Sequence, residues 1–274
     1  MNIPVLVALC CICFVILVFL FIIAPGRASK SKKSPFFGRN IAHRGLYKDD
    51  QSIPENSITA FKRAVSSGYG IELDIQLSKD GKVVVFHDDT LGRVCSVSER
   101  VDSFDYDELK EMSLFSTDER IPLFTEVIKE IDGGTPVIVE LKSGPRNDEL
   151  CKKALDILGE YKGTFCVESF DPTIVAWFKK HAPKILRGQL SQPTKDYIKS
   201  GKKRFLSFVL GNTLLNFLAR PQFIAYKVGK KPFPIKICEL LGAMKVCWTS
   251  HNAESEKKYD VVIFEHYLPQ KRFK

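Results

Sequence analysis

No acidic residue precedes Asp49 in this chain of 274 residues, and residues 3–24 carry no charge of either sign. About 22 such residues are enough to cross roughly 30 Å of hydrocarbon as a helix. A removable signal peptide would show a basic start and a shorter apolar core, and neither is present. The segment is therefore expected to be an uncleaved, single-pass anchor. Arg27, Lys30, Lys32 and Lys33 follow it with no acid between them. Positive flanks prefer the cytoplasm, so the body is expected on the cytosolic side and the short N-terminus outside.

Cysteine pairing is absent as well. Cys10, Cys11 and Cys13 lie in the apolar segment, and Cys95, Cys151, Cys166, Cys238 and Cys247 are scattered through the body. None of these five has the C-x-x-C spacing of a zinc module, and five scattered residues make no disulfide framework, so buried, reduced thiols are expected. A basic stripe with interleaved aromatics is also lacking, which excludes nucleic acid as the partner despite a net charge of +9. That charge comes mainly from the cluster after the anchor and from Lys271, Arg272 and Lys274. It favours anionic membrane surfaces and anionic substrates. No internal repeat or low-complexity stretch appears outside the Lys/Ser linker.

What remains from Pro35 onward is roughly 240 residues, the size of one α/β barrel or two small domains. Strand-like runs lie at 40–43, 70–77, 82–87, 136–141, 164–168, 185–189, 223–227, 244–248 and 260–264. Helix-like runs lie at 57–66, 105–111, 123–131, 148–161, 172–181, 195–219 (broken), 232–241 and 253–258. The strands are almost continuously apolar, as in parallel sheets covered on both faces. Nine is one more than a closed eightfold barrel needs. Lys79-Asp80-Gly81 is a tight turn, so either the second and third runs pair as a hairpin or one weak run is not a barrel strand. Residues 88–120 hold mostly turn chemistry, and a small cap over the site is expected there. The apolar run 205–218 is short for a span. It is expected to be a buried helix, with an interfacial segment as the competing reading.

The chemistry sits at strand ends. In IELDIQL, Glu72 and Asp74 fall at i and i+2 and share a face; in PVIVELK, Glu140 shares one with Lys142. Charges at the ends of buried strands are costly unless paired or metal-bound. Three carboxylates offer oxygen ligands only, which favours a hard cation such as Mg²⁺ or Ca²⁺ over zinc. His43-Arg44-Gly45 precedes them and His87-Asp88 lies between them. Two histidines suit acid–base work near neutral pH, and arginine holds phosphate oxygens bidentately. Together these residues suit hydrolysis of a phosphate ester. His181 and His251 are expected at the surface.

The stretch IAHRGLYKDDQSIPENSITAF, then IELDIQLSKDGKVVVFHDDTLGR, resembles the glycerophosphodiester phosphodiesterase family, and IPLFTEV, VIVELK, FCVESF, RGQL and VCWT follow in order. The resemblance implies a distorted (β/α)8 TIM barrel over residues 39–270, with 88–120 as the cap-like insertion. An anchor at 3–24 and a basic linker at 25–38 would precede it. It implies one divalent cation on Glu72, Asp74 and Glu140, and an acid–base pair of His43 and His87. Arg44 and Lys142 would bind phosphate, Glu168 would line the substrate pocket, and Trp248 would wall the glycerol. Glu55 would orient Arg44, and Arg187 is a weaker phosphate candidate. The chain departs from the family where Phe264-Glu265-His266 replaces a Thr-Asp pair, and where Ser250-His251-Asn252 follows the Trp-Thr pair. These changes are expected to alter pocket shape without touching the cation or the histidines. The implied reaction splits a glycerophosphodiester into sn-glycerol 3-phosphate and an alcohol, through water or through a cyclic phosphate. Hydrolysis of a lysophospholipid at the membrane is the competing activity. An idle barrel that binds lipid headgroups or a protein would need a broken site, and every motif residue is in place.

Overall fold

The computed structural model describes residues 3–274. Among the described residues nine strands form: β1 (Arg39–Ala42), β2 (Gly70–Leu77), β3 (Val83–Val85), β4 (Val137–Leu141), β5 (Phe165–Ser169), β6 (Arg187–Ser191), β7 (Phe223–Lys227), β8 (Met244–Ser250) and β9 (Val261–Phe264). The order β1-β9-β8-β7-β6-β5-β4-β2 is parallel throughout, and β1 pairs with β2 to close an eight-stranded barrel. The ninth strand is β3, which runs antiparallel to β2. Closure leaves no free edge in the barrel. Of the two alternatives at Lys79-Asp80-Gly81, the hairpin is the one present. The run expected at 185–189 is displaced, because the Ile185 amide is tied to Ala182 O in a turn and the ladder starts at Arg187.

The period of two along each strand builds the interior. Ile41, Ile138, Cys166, Ala225, Val246 and Ile263 all belong to one buried cluster. Two residues further on, facing the same way, come His43, Glu140, Glu168, Lys227, Trp248 and Glu265. All six line a cleft of about 390 Å³. The strands therefore carry an apolar floor and, one repeat higher, a polar mouth at their C-terminal ends, where barrel chemistry resides. On β6 the floor position is Gly188, where a Cβ would meet the Phe223 ring at 1.9 Å.

Helices cover the outside through a second cluster that includes Phe61, Val127, Leu150 and Phe178. Their starts follow local chemistry: Asp171 caps Pro172–His181 by accepting the Thr173 amide at 2.8 Å, with proline in the first turn. Residues 88–120 form short helices with their own small core of Leu91, Val94, Val101, Leu109 and Leu114. The run 205–218 is not a buried helix. It breaks into Arg204–Gly211 and Asn216–Ala219, and only the small Ser207 and Gly211 of the first face inward. Phe205, Leu206 and Phe208 point out.

Candidate active site

Asp74 and Glu140 are direct partners in the β2–β4 ladder, and Glu140 and Glu168 in the β4–β5 ladder. Register thus sets three carboxylates side by side, with Glu72 two residues below Asp74. One carboxylate oxygen from each of Glu72, Asp74 and Glu140 lies within 4.8 Å of the other two, close enough to hold one cation. Burial, then Asp74, Glu140 and Glu168, push the Glu72 pKa well above the usual carboxylate range. Asp74 is also buried, yet His87, Lys142 and Arg44 hold its pKa far below that range. Its Oδ2 accepts from Asn56 Nδ2 at 3.0 Å. Arg44 donates its backbone amide to Glu72 Oε2 at 3.1 Å from a left-handed conformation, φ 54°. Its guanidinium meets Glu55 at 2.6 Å.

The histidines are each fixed from behind. His43 follows β1, and its Nδ1 lies 2.6 Å from Glu265 Oε2, so Nε2 turns toward Glu72, 3.9 Å away. Burial, then Arg44, push the His43 pKa below its ordinary value, while Glu265 pulls the other way. Glu265 also accepts from Thr249 at 2.7 Å, Tyr47 at 3.2 Å and His251 at 3.0 Å. Burial opposes its charge, but the hydrogen bond from His43 leads a set that keeps it well below the carboxylate range. His87 follows β3, with Nδ1 2.5 Å from Asp88 Oδ1. Arg93 locks Asp88 at 2.7 Å and reaches back to both oxygens of Glu55.

Residues 43–263 match the model of the glycerophosphoryl diester phosphodiesterase family. The chain belongs to this family. It is 38% identical over 164 residues to a glycerophosphodiester phosphodiesterase of Caldanaerobacter subterraneus, covering 56% of this chain and 66% of that one. It is 32% identical over 157 residues to a lysophospholipase D of Rattus norvegicus, covering 53% of this chain and 48% of that one. The match thus spans a little under two thirds of the first relative and about half of the second. A phosphodiesterase of Oleispira antarctica, solved with the product sn-glycerol 3-phosphate, has the same fold, with a TM-score of 0.66 at 21% identity over 83% of this chain and 93% of that one.

The family uses a divalent metal, and the site here fits one. Three buried carboxylates crowd together, and Glu168 Oε2 beside them is buried without a hydrogen-bond partner. Such crowding is relieved by a hard cation bound through oxygen.

Most of the expected site residues converge. His43, Arg44, Glu72, His87, Glu140, Glu168 and Trp248 all line the cleft. Lys142 Nζ is held by Glu140 at 2.9 Å and Asp74 at 3.4 Å and lines a neighbouring crevice with Gln76 and Asp89 instead. Arg187 is no phosphate ligand: it opens β6 at the floor end, and its Nε is bound to Ala219 O at 3.1 Å. The replacement at Glu265 does touch the machinery, contrary to expectation, since it holds His43. His251 is exposed, as expected, but its Nε2 donates to Glu265 Oε1 at 3.0 Å. Sequence reasoning missed Glu265, Asn56, Arg93 and Lys227. Glu265 and Lys227 left a signal, as charged residues on the inward phase at the ends of β9 and β7.

Proposed function

We propose that this protein hydrolyses glycerophosphodiesters in a cation-dependent reaction, yielding sn-glycerol 3-phosphate and an alcohol. The observation that carries the reading is one cleft in which three buried carboxylates face two histidines, each backed by its own acid. Glu72, Asp74 and Glu140 would hold Mg²⁺ or Ca²⁺. Once bound, the cation supplies Lewis-acid neutralisation of the phosphoryl charge.

The rest falls to the chain. A histidine whose Nδ1–H is given to a carboxylate presents a bare Nε2 to the cleft. His43, buried and pushed toward its neutral form, takes the proton of the attacking hydroxyl, from water or from the neighbouring glycerol oxygen. His87, entering the reaction as the imidazolium with Asp88 balancing its charge, gives its Nε2 proton to the departing alcohol oxygen as that oxygen's bond to phosphorus breaks. Arg44, steadied by Glu55, offers N–H donors to phosphate. Glu168, whose Oε2 is buried without a hydrogen-bond partner, lines the same cleft and offers that oxygen to a glycerol hydroxyl, against the wall made by Trp248. Ile3–Ile23 forms one apolar helix, proposed as a single-pass anchor with the body on the cytosolic side.

The test is metal-stripped protein given glycerophosphocholine, with Mg²⁺ or Ca²⁺ restored. Choline release that returns with one cation and is lost in His43→Ala supports the reading. Release without any cation, or unchanged in His43→Ala, sinks it.

A further inference from the structure

The N-terminal helix runs along the barrel in a definite direction. After it, the chain crosses the floor end: the Gly26 amide donates to Pro221 O at 2.9 Å and Lys33 Nζ to Gly242 O at 2.7 Å, just ahead of β7 and β8. Asn216 Nδ2 reaches both Ile23 O, at 3.0 Å, and Cys238 Sγ. One turn earlier, Phe19 stacks on Phe233 at 6.3 Å. Helix Phe233–Leu240 leads from the mouth end of β7 back to the floor end of β8. Phe233 therefore marks the mouth level and Cys238 the lower one. Followed from Ile23 toward Ile3, the N-terminal helix climbs past the mouth and keeps going.

Its length then sets where a bilayer must lie. Residues 3–18 are exposed on every side; at 1.5 Å per residue they reach about 24 Å. A hydrocarbon core is roughly 30 Å thick. Covering it takes in the turn at Phe19, and with it Phe233 and the mouth rim.

The rim independently suits that position. Ser191, ending β6, bonds Leu210 O at 2.9 Å, which holds helix Arg204–Gly211 at mouth level. On that helix Phe205 is 81% and Phe208 52% exposed. Lys199, Lys202, Lys203 and Arg204 stand exposed beside them. Asp196 is the one acidic residue between Gln192 and Lys231, and it is paired with Lys227 at 2.9 Å. Exposed aromatics beside cations are the pattern of a segment seated at an anionic lipid interface.

We propose that the barrel mouth faces the membrane, with the rim at residues 199–208 seated among the headgroups of an anionic bilayer. The orientation rests on the anchor assigned above, and its consequence for substrate rests on the hydrolase reading. Tyr197, buried beneath the rim, meets Phe170 edge-on at 6.2 Å, and Phe170 meets Trp248 at 5.4 Å. An apolar run of side chains thus leads from the cleft wall toward the rim, the side from which a phosphodiester that still carries an acyl chain would enter.

The test places the full chain in vesicles of phosphatidylglycerol and phosphatidylcholine with bromine on the upper acyl chain. Phe205→Trp is compared with Leu240→Trp, which is 79% exposed but at the floor end, each against the parent's Trp177 and Trp248. Several-fold stronger quenching at 205 than at 240 supports the orientation, whether or not the protein hydrolyses anything. Equal quenching, stronger quenching at 240, or none at either overturns it. In the same vesicles, Phe205→Glu with Phe208→Glu should slow lysophosphatidylcholine turnover more than tenfold and leave glycerophosphocholine turnover intact. Equal loss on both, or on neither, overturns the rim's role. A parent that turns over neither removes the hydrolase reading and leaves the quenching result to decide the orientation.

Discussion

Glu72, Asp74 and Glu140 stand on strands, while His43 and His87 stand one residue or two beyond them, and the two sets are held in place by different means. The carboxylates are placed by the β2–β4 ladder, Asp74 directly against Glu140. No side-chain partner is needed to set their spacing. The histidines are placed by side chains from elsewhere: Glu265 after β9 holds one ring, and Asp88, locked by Arg93, holds the other. In the first half, backbone fixes geometry and substitution removes charge. In the second, a substitution can leave the imidazole ring present but badly aimed.

The sharpest break of that comparison is Glu72→Gln. It keeps the volume and the ladder but removes a ligand charge, so cation affinity should collapse. Turnover should fall by about 10³-fold or more, the scale of several kcal/mol of lost Lewis-acid stabilisation. Stability should move the other way. Glu72 has a folded pKa raised well above its unfolded value by burial and its acidic neighbours, so its ionised form destabilises the cation-free fold at pH 7. Melting of the stripped variant should be higher than that of the parent. A lower melting temperature would show that the carboxylates are not strained against one another.

This contrast also governs what could be read without coordinates. Period-two spacing in IELDIQL and PVIVELK places Glu72, Asp74 and Glu140 on inward faces, and near-continuous apolar runs announce parallel strands. Nine runs with one tight turn allow eight barrel strands and a hairpin, or eight and one run outside the barrel. Ladder register, by contrast, is not written in any single strand, so Arg187, polar and near a strand start, passed for a phosphate ligand although it sits at the floor. Nor does local sequence pair residue 43 with residue 265. The exposed Phe205 shows the same limit: an apolar run fixes that something apolar will cover it, and burial in the core was the wrong cover.

Next in size come His43→Ala and His87→Ala. Removal of a general acid or base costs about 10²- to 10⁴-fold in rate. Both variants should keep cation affinity by calorimetry, which Glu72→Gln should not. Loss of cation binding in His43→Ala would dissolve the distinction between the two halves.

Glu265→Gln is smaller and more telling. The amide preserves shape but gives up the charge that fixes the His43 ring, and loss of such an outer partner costs about 10–100-fold. Its pH signature has a definite sign. Glu265 raises the His43 pKa against burial and Arg44, which lower it. Without that charge the folded pKa drops further, so the neutral base persists to more acidic pH. The acidic limb of kcat/KM should shift down while the plateau falls. An unmoved limb would mean that Glu265 does not act through His43.

The least effect belongs to Arg93→Ala, and it tests how far the loop half depends on exposed charge. Arg93 is 44% exposed in its side chain, so its bonds to Asp88 and Glu55 are screened by water and salt. A pair of this kind is worth about 1 kcal/mol or less. Glu55 keeps Arg44 at 2.6 Å, so phosphate-side geometry survives. Asp88 keeps His87 but loses its clamp. The expected result is a few-fold loss of turnover with little change in melting temperature. Because the Debye length shrinks to about 3 Å at 1 M salt, parent and variant should converge there. A gap that stays open at high salt would show that the clamp works by shape, as the strand half does, and would erase the contrast between them.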